Sequence, residues 1–347
     1  MTQTSSPRPF LDHTPADGSL TRLMDGIEWL RLPLPFALNH VNIWLLGDGN
    51  DVAAVDAGFP LPENRQAWQA ALSTRVLSDI FITHCHPDHL GLGGWLSAQF
   101  PATPVYITAR EEKLARALCD DATLASWLPV HVSAYQAAGL DDARMQAMFK
   151  RMGGYKLVVA PLPAAFRTIK DSDSVTLGGR NWTVIEGFGH SPEHASLYCA
   201  ADDIFIAGDM VLPYISPNIS LSPRDSVDAD PLAGYLDSLA RIKAQVPDTA
   251  LVLPSHGVPF HGLHARIDTL TVHHHERCAE IADILRQQAL SGVELMEKLF
   301  SKRAFDPNTL FFALGETMAH VRYMQQRGEI GMDATAQDGI IRYTPPV

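Results

Sequence analysis

The sequence predicts an α/β fold built in layers, followed by a mainly helical tail. Short apolar strands alternate with helical segments over residues 27–208. After Gly262 the pattern turns almost wholly helical. Ligand-type side chains recur at the ends of the expected strands.

The elements follow in order. Residues 1–26 read as a loose leader, because Pro7, Pro9 and Pro15 interrupt regular structure. Stretches 41–46 and 52–55 read as strands around a turn at 47–51, a hairpin. The spacing of Ala67, Trp68, Ala71 and Leu72 predicts a helix over 64–77. A short strand at 79–83, a helix at 92–100 and a strand at 105–107 come next. Residues 109–153 read as a helical insertion, with helices at 110–118 and 141–152. Strands return at 174–177, 182–186, 195–199, 204–207 and 250–253. The matching rhythm of 27–60 and 174–208 predicts two similar sheets. In the tail, helices are expected at 266–288, 292–300 and 309–326, with Ser291 and Glu294 forming a capping box. Strands at 329–332 and 339–343 then frame a turn. Three helices and a hairpin predict a winged-helix-like domain over 263–347.

Composition narrows the function. The chain has 347 residues with an apolar share of 46%, enough for a real core and against disorder, collagen or coiled coil. A net charge of −12 argues against a nucleic-acid partner, whose phosphates call for Lys and Arg. The 4 cysteines form no CxxC pair, which suits a reducing compartment. No apolar run reaches the ~18 residues of a membrane helix, and residues 1–10 carry no apolar signal segment. A cytoplasmic enzyme without a membrane partner is therefore expected. The unusual count is 15 histidines, residues that bind metals and move protons near neutral pH.

Their placement is more telling than their number. The segment Thr83-His84-Cys85-His86-Pro87-Asp88-His89 follows a short strand. In extended chain His84 and His86 point to one side and Cys85 to the other, which assigns Cys85 to packing. Pro87 turns the chain, so that Asp88 and His89 face a neighbouring point. Four ligand-type side chains in six residues can serve two metal ions a few Å apart.

This HxHxDH element after a strand resembles the signature of the metallo-β-lactamase superfamily. Further elements of that pattern occur in the family's order. Gly189-His190-Ser191-Pro192-Glu193-His194 is similar to its GH[ST]-x-x-H element, Gly208-Asp209 to its bridging aspartate and Pro254-Ser255-His256-Gly257 to its final histidine. Val55-Asp56-Ala57-Gly58 resembles its early [VI]D-x-G element. The resemblance implies an αβ/βα sandwich over residues 27–262 and a binuclear site. His84, His86 and His190 would bind the first metal, and Asp88, His89 and His256 the second, with Asp209 bridging. Zn is the expected metal, with Fe or Mn as alternatives, since imidazole and carboxylate suit all three. Such a pair makes a bridging water acidic, and the resulting hydroxide attacks a carbonyl or phosphorus. Asp88 can also move a proton. His194 would sit near the site and contact substrate or support it, and Asp56 would orient a ligating histidine.

Outside the motifs, Tyr214 follows the bridging aspartate and is expected to line the pocket. The stretch 208–218 is similar to the branch of the family that carries a C-terminal winged helix. The helix at 309–326 holds Phe311, Phe312, Leu314, Met318 and Val321 but only Arg322 as a basic residue, so it predicts packing or a homodimer rather than DNA reading. His273, His274 and His275 do not share a helix face and read as structural or exposed. His40 and His131 belong to no motif. Trp127, Tyr135, Met145, Met148, Phe149 and Tyr155 offer an apolar pocket for an acyl chain, or the insertion's own core. The expected function is hydrolysis of a small-molecule ester, thioester or lactone. A phosphodiesterase or endoribonuclease is the alternative, and a β-lactamase a third.

Overall fold

The structure is a computed structural model that describes residues 7–11, 13–152, 154–302, 304–335 and 337–346. Its chain divides into two units. The first comprises residues 1–119, 155–217 and 238–268, and the second 120–154, 218–237 and 269–347.

Two seven-stranded sheets build the first unit. One orders Leu20–Met24, Ile27–Pro33, His40–Leu46, Asp51–Val55, Val76–Phe81, Val105–Thr108 and Arg167–Ile169. Its pairs are antiparallel as far as Asp51–Val55 and parallel from there on. The other orders Arg8–Pro9, Phe260–His261, Leu251–Pro254, Ile204–Gly208, His194–Cys199, Arg180–Gly187 and Ser174–Leu177. There Ile204–Gly208 and Leu251–Pro254 pair in parallel.

The apolar pattern explains the layering. The strand His40–Leu46 sends Val41, Ile43 and Leu45 into one core, and Trp44 and Leu46 into another. Burial on both faces makes it read as a continuous apolar run. Between the sheets, Trp29, Trp44 and Phe81 meet Trp182, Val184, Leu197 and Leu253. Replacing a buried aromatic such as Trp44 by alanine would cost about 3–5 kcal/mol. The outer face of the first sheet packs on the helices Pro62–Ala71, Gly93–Gln99 and Ala109–Leu118 through Trp68, Leu96 and Ala115. The helix Pro231–Gln245 is tied to the end of the strand Arg180–Gly187: Arg241 donates to the Glu186 carbonyl and the Ser238 hydroxyl accepts the Phe188 N–H. This is the αβ/βα sandwich, with the two similar sheets that the sequence predicts.

Several local expectations need correction. The leader is not loose throughout: Arg8–Pro9 pairs with Phe260–His261, and Leu20–Met24 with Ile27–Pro33. A proline fits Arg8–Pro9 because that strand is an edge, and Gly26 at φ +67° makes the hairpin turn. Residues 1–6 and 12 of the leader lie outside the described residues. The helix expected to reach residue 77 ends at Ala71, and the strand begins at Val76. Leu72 and Leu77 prolong the helical spacing past the real end.

In the second unit the insertion gains an unexpected helix, Asp121–Ala137, with Pro129 inside it. The Asp120 carboxylate caps it by accepting the Thr123 N–H. Tyr135, Met145 and Met148 from the insertion share a core with Val293, Met296, Leu310 and Leu314 from the tail. They are therefore core residues and not the lining of an acyl pocket. The tail holds Leu263–Leu285, Gly292–Leu299 and Pro307–Gln326, plus a three-stranded sheet ordered Leu290–Ser291, Arg342–Thr344, Gly331–Asp333. The Ser291–Glu294 capping box is formed as expected. Among the described residues no helix is long and apolar enough to cross a membrane.

Candidate metal centre

Every motif in the sequence ends at one edge of the first unit. Asp56 follows the strand Asp51–Val55, and His84–His89 follow Val76–Phe81. His190 lies in the loop between Arg180–Gly187 and His194–Cys199. Asp209 follows Ile204–Gly208 and His256 follows Leu251–Pro254. Backbone bonds stitch these ends together: Asp56 N–H donates to the Phe81 carbonyl, and Ala195 N–H to the Thr83 carbonyl across the two sheets. The crowding at Gly208 is strict. Its φ is +55°, and a side chain there would collide with the His194 ring.

The side chains converge as the sequence anticipates. His84, His86 and His190 form one group of potential ligands, His84, His89 and Asp209 another, and Asp88, His89 and His256 a third. His190 Nε2 lies 3.3 Å from His84 Nε2 and 3.3 Å from Asp209 Oδ2. His256 Nε2 lies 3.4 Å from both Asp88 Oδ2 and Asp209 Oδ1. His89 Nε2 is 3.5 Å from Asp88 Oδ2 and 3.7 Å from Asp209 Oδ2. Bonds of about 2.0–2.2 Å to a common tetrahedral ion would separate their ligand atoms by about 3.3–3.6 Å. Two atoms of the candidate ligands, His89 Nε2 and Asp209 Oδ1, are among the buried side-chain atoms with no hydrogen-bond partner among the described residues.

The rings are turned from behind. Asp56 Oδ2 lies 2.7 Å from His89 Nδ1. A carboxylate only accepts, so Nδ1 carries the proton and Nε2 faces the cluster. Asp56 Oδ1 accepts the Thr83 backbone N–H and Thr83 Oγ1 donates to the same carboxylate. That hydroxyl has spent its proton, so it accepts from His84 Nδ1 at 3.0 Å and leaves His84 Nε2 facing inward. His256 Nδ1 donates to the His40 carbonyl at 2.7 Å. Asp56 itself holds φ +67°, a strained conformation for a non-glycine residue, fixed here by its buried bonds.

Electrostatics divide the cluster. Burial pushes His84 well below the ordinary imidazole range and His86 down to about 3, with neighbouring imidazoles adding to the effect. At the other end burial acts the same way but is outweighed. The Asp88, Asp56 and Asp209 carboxylates hold His89 well above its usual value, and Asp209 and Asp88 push His256 up to about 10. Burial would raise Asp88 and Asp209, yet the imidazoles hold both below the usual carboxylate range. Opposed charges of this density in a largely buried setting suit a metal ion pair.

Other expected residues fall as follows. His194 is fully buried, and its Nε2 accepts the Asp209 N–H at 3.1 Å. Tyr214 is 60% exposed and stands beside Gly257, next to His256. His131 donates to the Trp127 carbonyl, and His274 pairs with His320, both inside the second unit.

Sequence reasoning missed the supports. Thr83 stands in the motif segment, yet the motif gives it no role. His40 Nε2 accepts the Gly257 N–H at 2.8 Å, and Asn42 donates to the Pro254 and Gly257 carbonyls. His40 and Asn42 act through backbone groups more than 200 positions away, and no local spacing announces such bonds.

Comparison with known proteins places the chain. Residues 37–256 match the family model described as the metallo-beta-lactamase superfamily, and residues 278–346 match the metallo-beta-lactamase-like C-terminal domain. The chain is 22% identical over 306 residues to the probable metallo-hydrolase YqjP of Bacillus subtilis (strain 168), covering 85% of this chain and 91% of that protein. It is 24% identical over 217 residues to a linear primary-alkylsulfatase of Pseudomonas sp. (strain ATCC 19151), covering 60% of this chain and 40% of that one. Among solved structures, a beta-lactamase domain protein from Burkholderia ambifaria is 35% identical with a TM-score of 0.87, covering 98% of each chain. A metallo-beta-lactamase family protein from Thermus thermophilus is 24% identical with a TM-score of 0.77, covering 93% of this chain and 100% of that one.

Proposed function

The chain belongs to the metallo-β-lactamase superfamily, and from that premise we propose that it is a binuclear metal-dependent hydrolase of a small ester, thioester or lactone. His84, His86 and His190 would hold one ion, Asp88, His89 and His256 the other, and Asp209 would touch both. The observation that carries this reading is the pair of orphaned buried atoms, His89 Nε2 and Asp209 Oδ1, inside a ring of imidazoles and carboxylates. A buried polar atom left unpaired costs about 1–3 kcal/mol. Ions bound by nitrogen and oxygen donors would satisfy both. Zn is the first choice for such donors, with Fe and Mn next.

Bound divalent ions would supply an acidified water and a Lewis acid for the charge developing on the substrate. The chain's own residues do the rest. Asp88, partly open to solvent, would take at its carboxylate the proton that the attacking water loses and pass it to the leaving group. Asp56, Thr83 and the His40 carbonyl keep the imidazole nitrogens aimed inward. His194 keeps Asp209 in place. Tyr214, exposed beside the His256 loop, and its exposed chain neighbour Ile215 offer an apolar surface for an acyl group. That surface and the net charge of −12 favour an uncharged acyl substrate over a phosphodiester. The 4 cysteines, with no CxxC pair, support a cytoplasmic setting.

A substrate panel tests the reading. Purified protein loaded with Zn, Mn or Fe is offered p-nitrophenyl esters, acyl thioesters, lactones, alkyl sulfates, bis-p-nitrophenyl phosphate and single-stranded RNA. Turnover of esters, thioesters or lactones is expected. Turnover confined to phosphodiesters or to sulfate esters would refute the substrate class. Fewer than about one bound ion per chain would refute the binuclear site.

A further inference from the structure

One buried carboxylate is used neither by the motifs nor by the chemistry above. Glu111 stands in the first turn of the helix Ala109–Leu118 and is fully buried. Its Oε2 accepts the backbone N–H of Cys85 at 2.9 Å, and its Oε1 accepts the backbone N–H of Glu193 at 2.8 Å. Cys85 is the residue between His84 and His86, and Glu193 lies between His190 and His194. A single side chain thus spans the two loops that carry the three imidazoles of the first trio.

The same two residues are also held at their carbonyls. Tyr155 Oη donates to the Cys85 carbonyl at 2.6 Å, and Thr108 Oγ1 donates to the Glu193 carbonyl at 2.6 Å. The Glu193 carboxylate accepts the Arg110 N–H at 2.8 Å. The strand Val105–Thr108 and the helix after it therefore form a frame to which both loops are bonded through backbone groups. The second trio is held by other means, Asp56 behind His89 and the His40 carbonyl behind His256.

We infer that Glu111 is a positioning residue that sets His84 and His86 against His190 and so tunes the affinity of the first metal position alone. The inference rests on the binuclear reading above. The chemistry is specific to a glutamate. Both partners are N–H donors, and an ionised carboxylate offers an acceptor oxygen to each through short, charge-assisted bonds. Glutamine would turn an NH₂ donor toward one of the two N–H groups, so one loop must let go. Aspartate keeps the charge but is one methylene shorter and cannot span both loops.

Zinc binding by the full-length protein at buffered free Zn²⁺ tests this, with metal per chain read by atomic emission and folding checked by thermal unfolding. In otherwise wild-type protein, Glu111→Gln and Glu111→Asp should each weaken one of two bound ions by about 10–100-fold, the usual effect of removing a support behind a ligand, and spare the other. Adding Glu111→Gln to His256→Ala, which cripples the second position, should remove the remaining ion. Adding it to His86→Ala, which cripples the first, should not. Unchanged binding in both Glu111 variants, equal weakening of both ions, or loss in Glu111→Gln with full retention in Glu111→Asp would each overturn the bridging role. A parent chain that takes up no zinc overturns the binuclear reading and this role with it. Normal uptake by the parent with unchanged uptake by the variants overturns the role alone.

Discussion

Among the described residues, two clusters of buried imidazoles are built in opposite ways. At the candidate metal centre His84, His89 and His256 are each turned by a group behind the ring, and the cluster they face contains the Asp88 and Asp209 carboxylates. In the second unit His320 Nδ1 donates to the Glu316 carbonyl, and His320 Nε2 accepts from His274 Nδ1 at 3.1 Å. The two rings bond each other and lie 5.2 Å apart, while His274 Nε2 has no hydrogen-bond partner among the described residues. Burial pushes His274 down to about 3 and His320 down to about 4, helped at His274 by the neighbouring imidazoles and Arg277. At the end of the centre that holds Asp88 the same burial is overcome: His89 is held well above its usual value and His256 is pushed up to about 10. Burial alone makes a neutral imidazole pair, which is packing. Burial beside Asp88 and Asp209 makes a cluster that draws positive charge.

Alanine substitution should separate the two regions most sharply. His86→Ala and Asp209→Ala should each abolish turnover, and metal analysis should show at least one ion lost. His274→Ala should leave turnover nearly unchanged in the same assay. Comparable losses at all three positions would erase the distinction. Asp56→Asn should give the next largest effect. Asparagine tolerates the left-handed backbone that Asp56 adopts, so the change removes charge and one acceptor behind His89 and Thr83. Metal affinity or activity should fall by about 10–100-fold. A smaller effect is expected at the exposed edge of the centre. Tyr214→Ala should raise KM for long acyl chains by up to about tenfold, equivalent to about 1.4 kcal/mol, with kcat kept. A fall in kcat with KM unchanged would count against an apolar contact there.

The same comparison shows what sequence makes legible. The candidate ligands stand in short motifs at strand ends, and His84, His86, Asp88 and His89 can be read as a unit without any fold. Asp56 is legible because its motif repeats the pattern. Glu111, His40 and Asn42 are not, since each reaches backbone groups 26 to 217 positions away and a backbone N–H leaves no mark on sequence. His274 sits in the most conspicuous run of histidines, yet its partner His320 lies 46 positions on, in another helix. Helix ends are misread where apolar spacing outlasts the helix, as at Leu77. The helix Asp121–Ala137 is hidden by Pro129 and by a pattern with little sidedness, as several of its apolar residues are exposed.

The smallest effect on turnover belongs to the His274–His320 pair, and it is visible in stability. An unfolded imidazole takes a proton near pH 6.5, whereas the buried pair stays neutral down to about 4 at His320 and about 3 at His274. Between those values the unfolded chain binds more protons, so stability falls as pH falls, by about 1.4 kcal/mol per pH unit for each such imidazole. His320→Gln keeps a polar side chain and removes one of these groups from both states. The variant should be no more stable than wild type at pH 7 but should gain on it steadily as pH drops from 6.5 towards 4. Imidazoles at the metal centre are common to both proteins and cancel in that difference. Parallel curves of unfolding midpoint against pH would mean that His320 takes up its proton in the folded chain as readily as in the unfolded one, and the contrast between a packed pair and a cation-seeking cluster would lose its electrostatic basis.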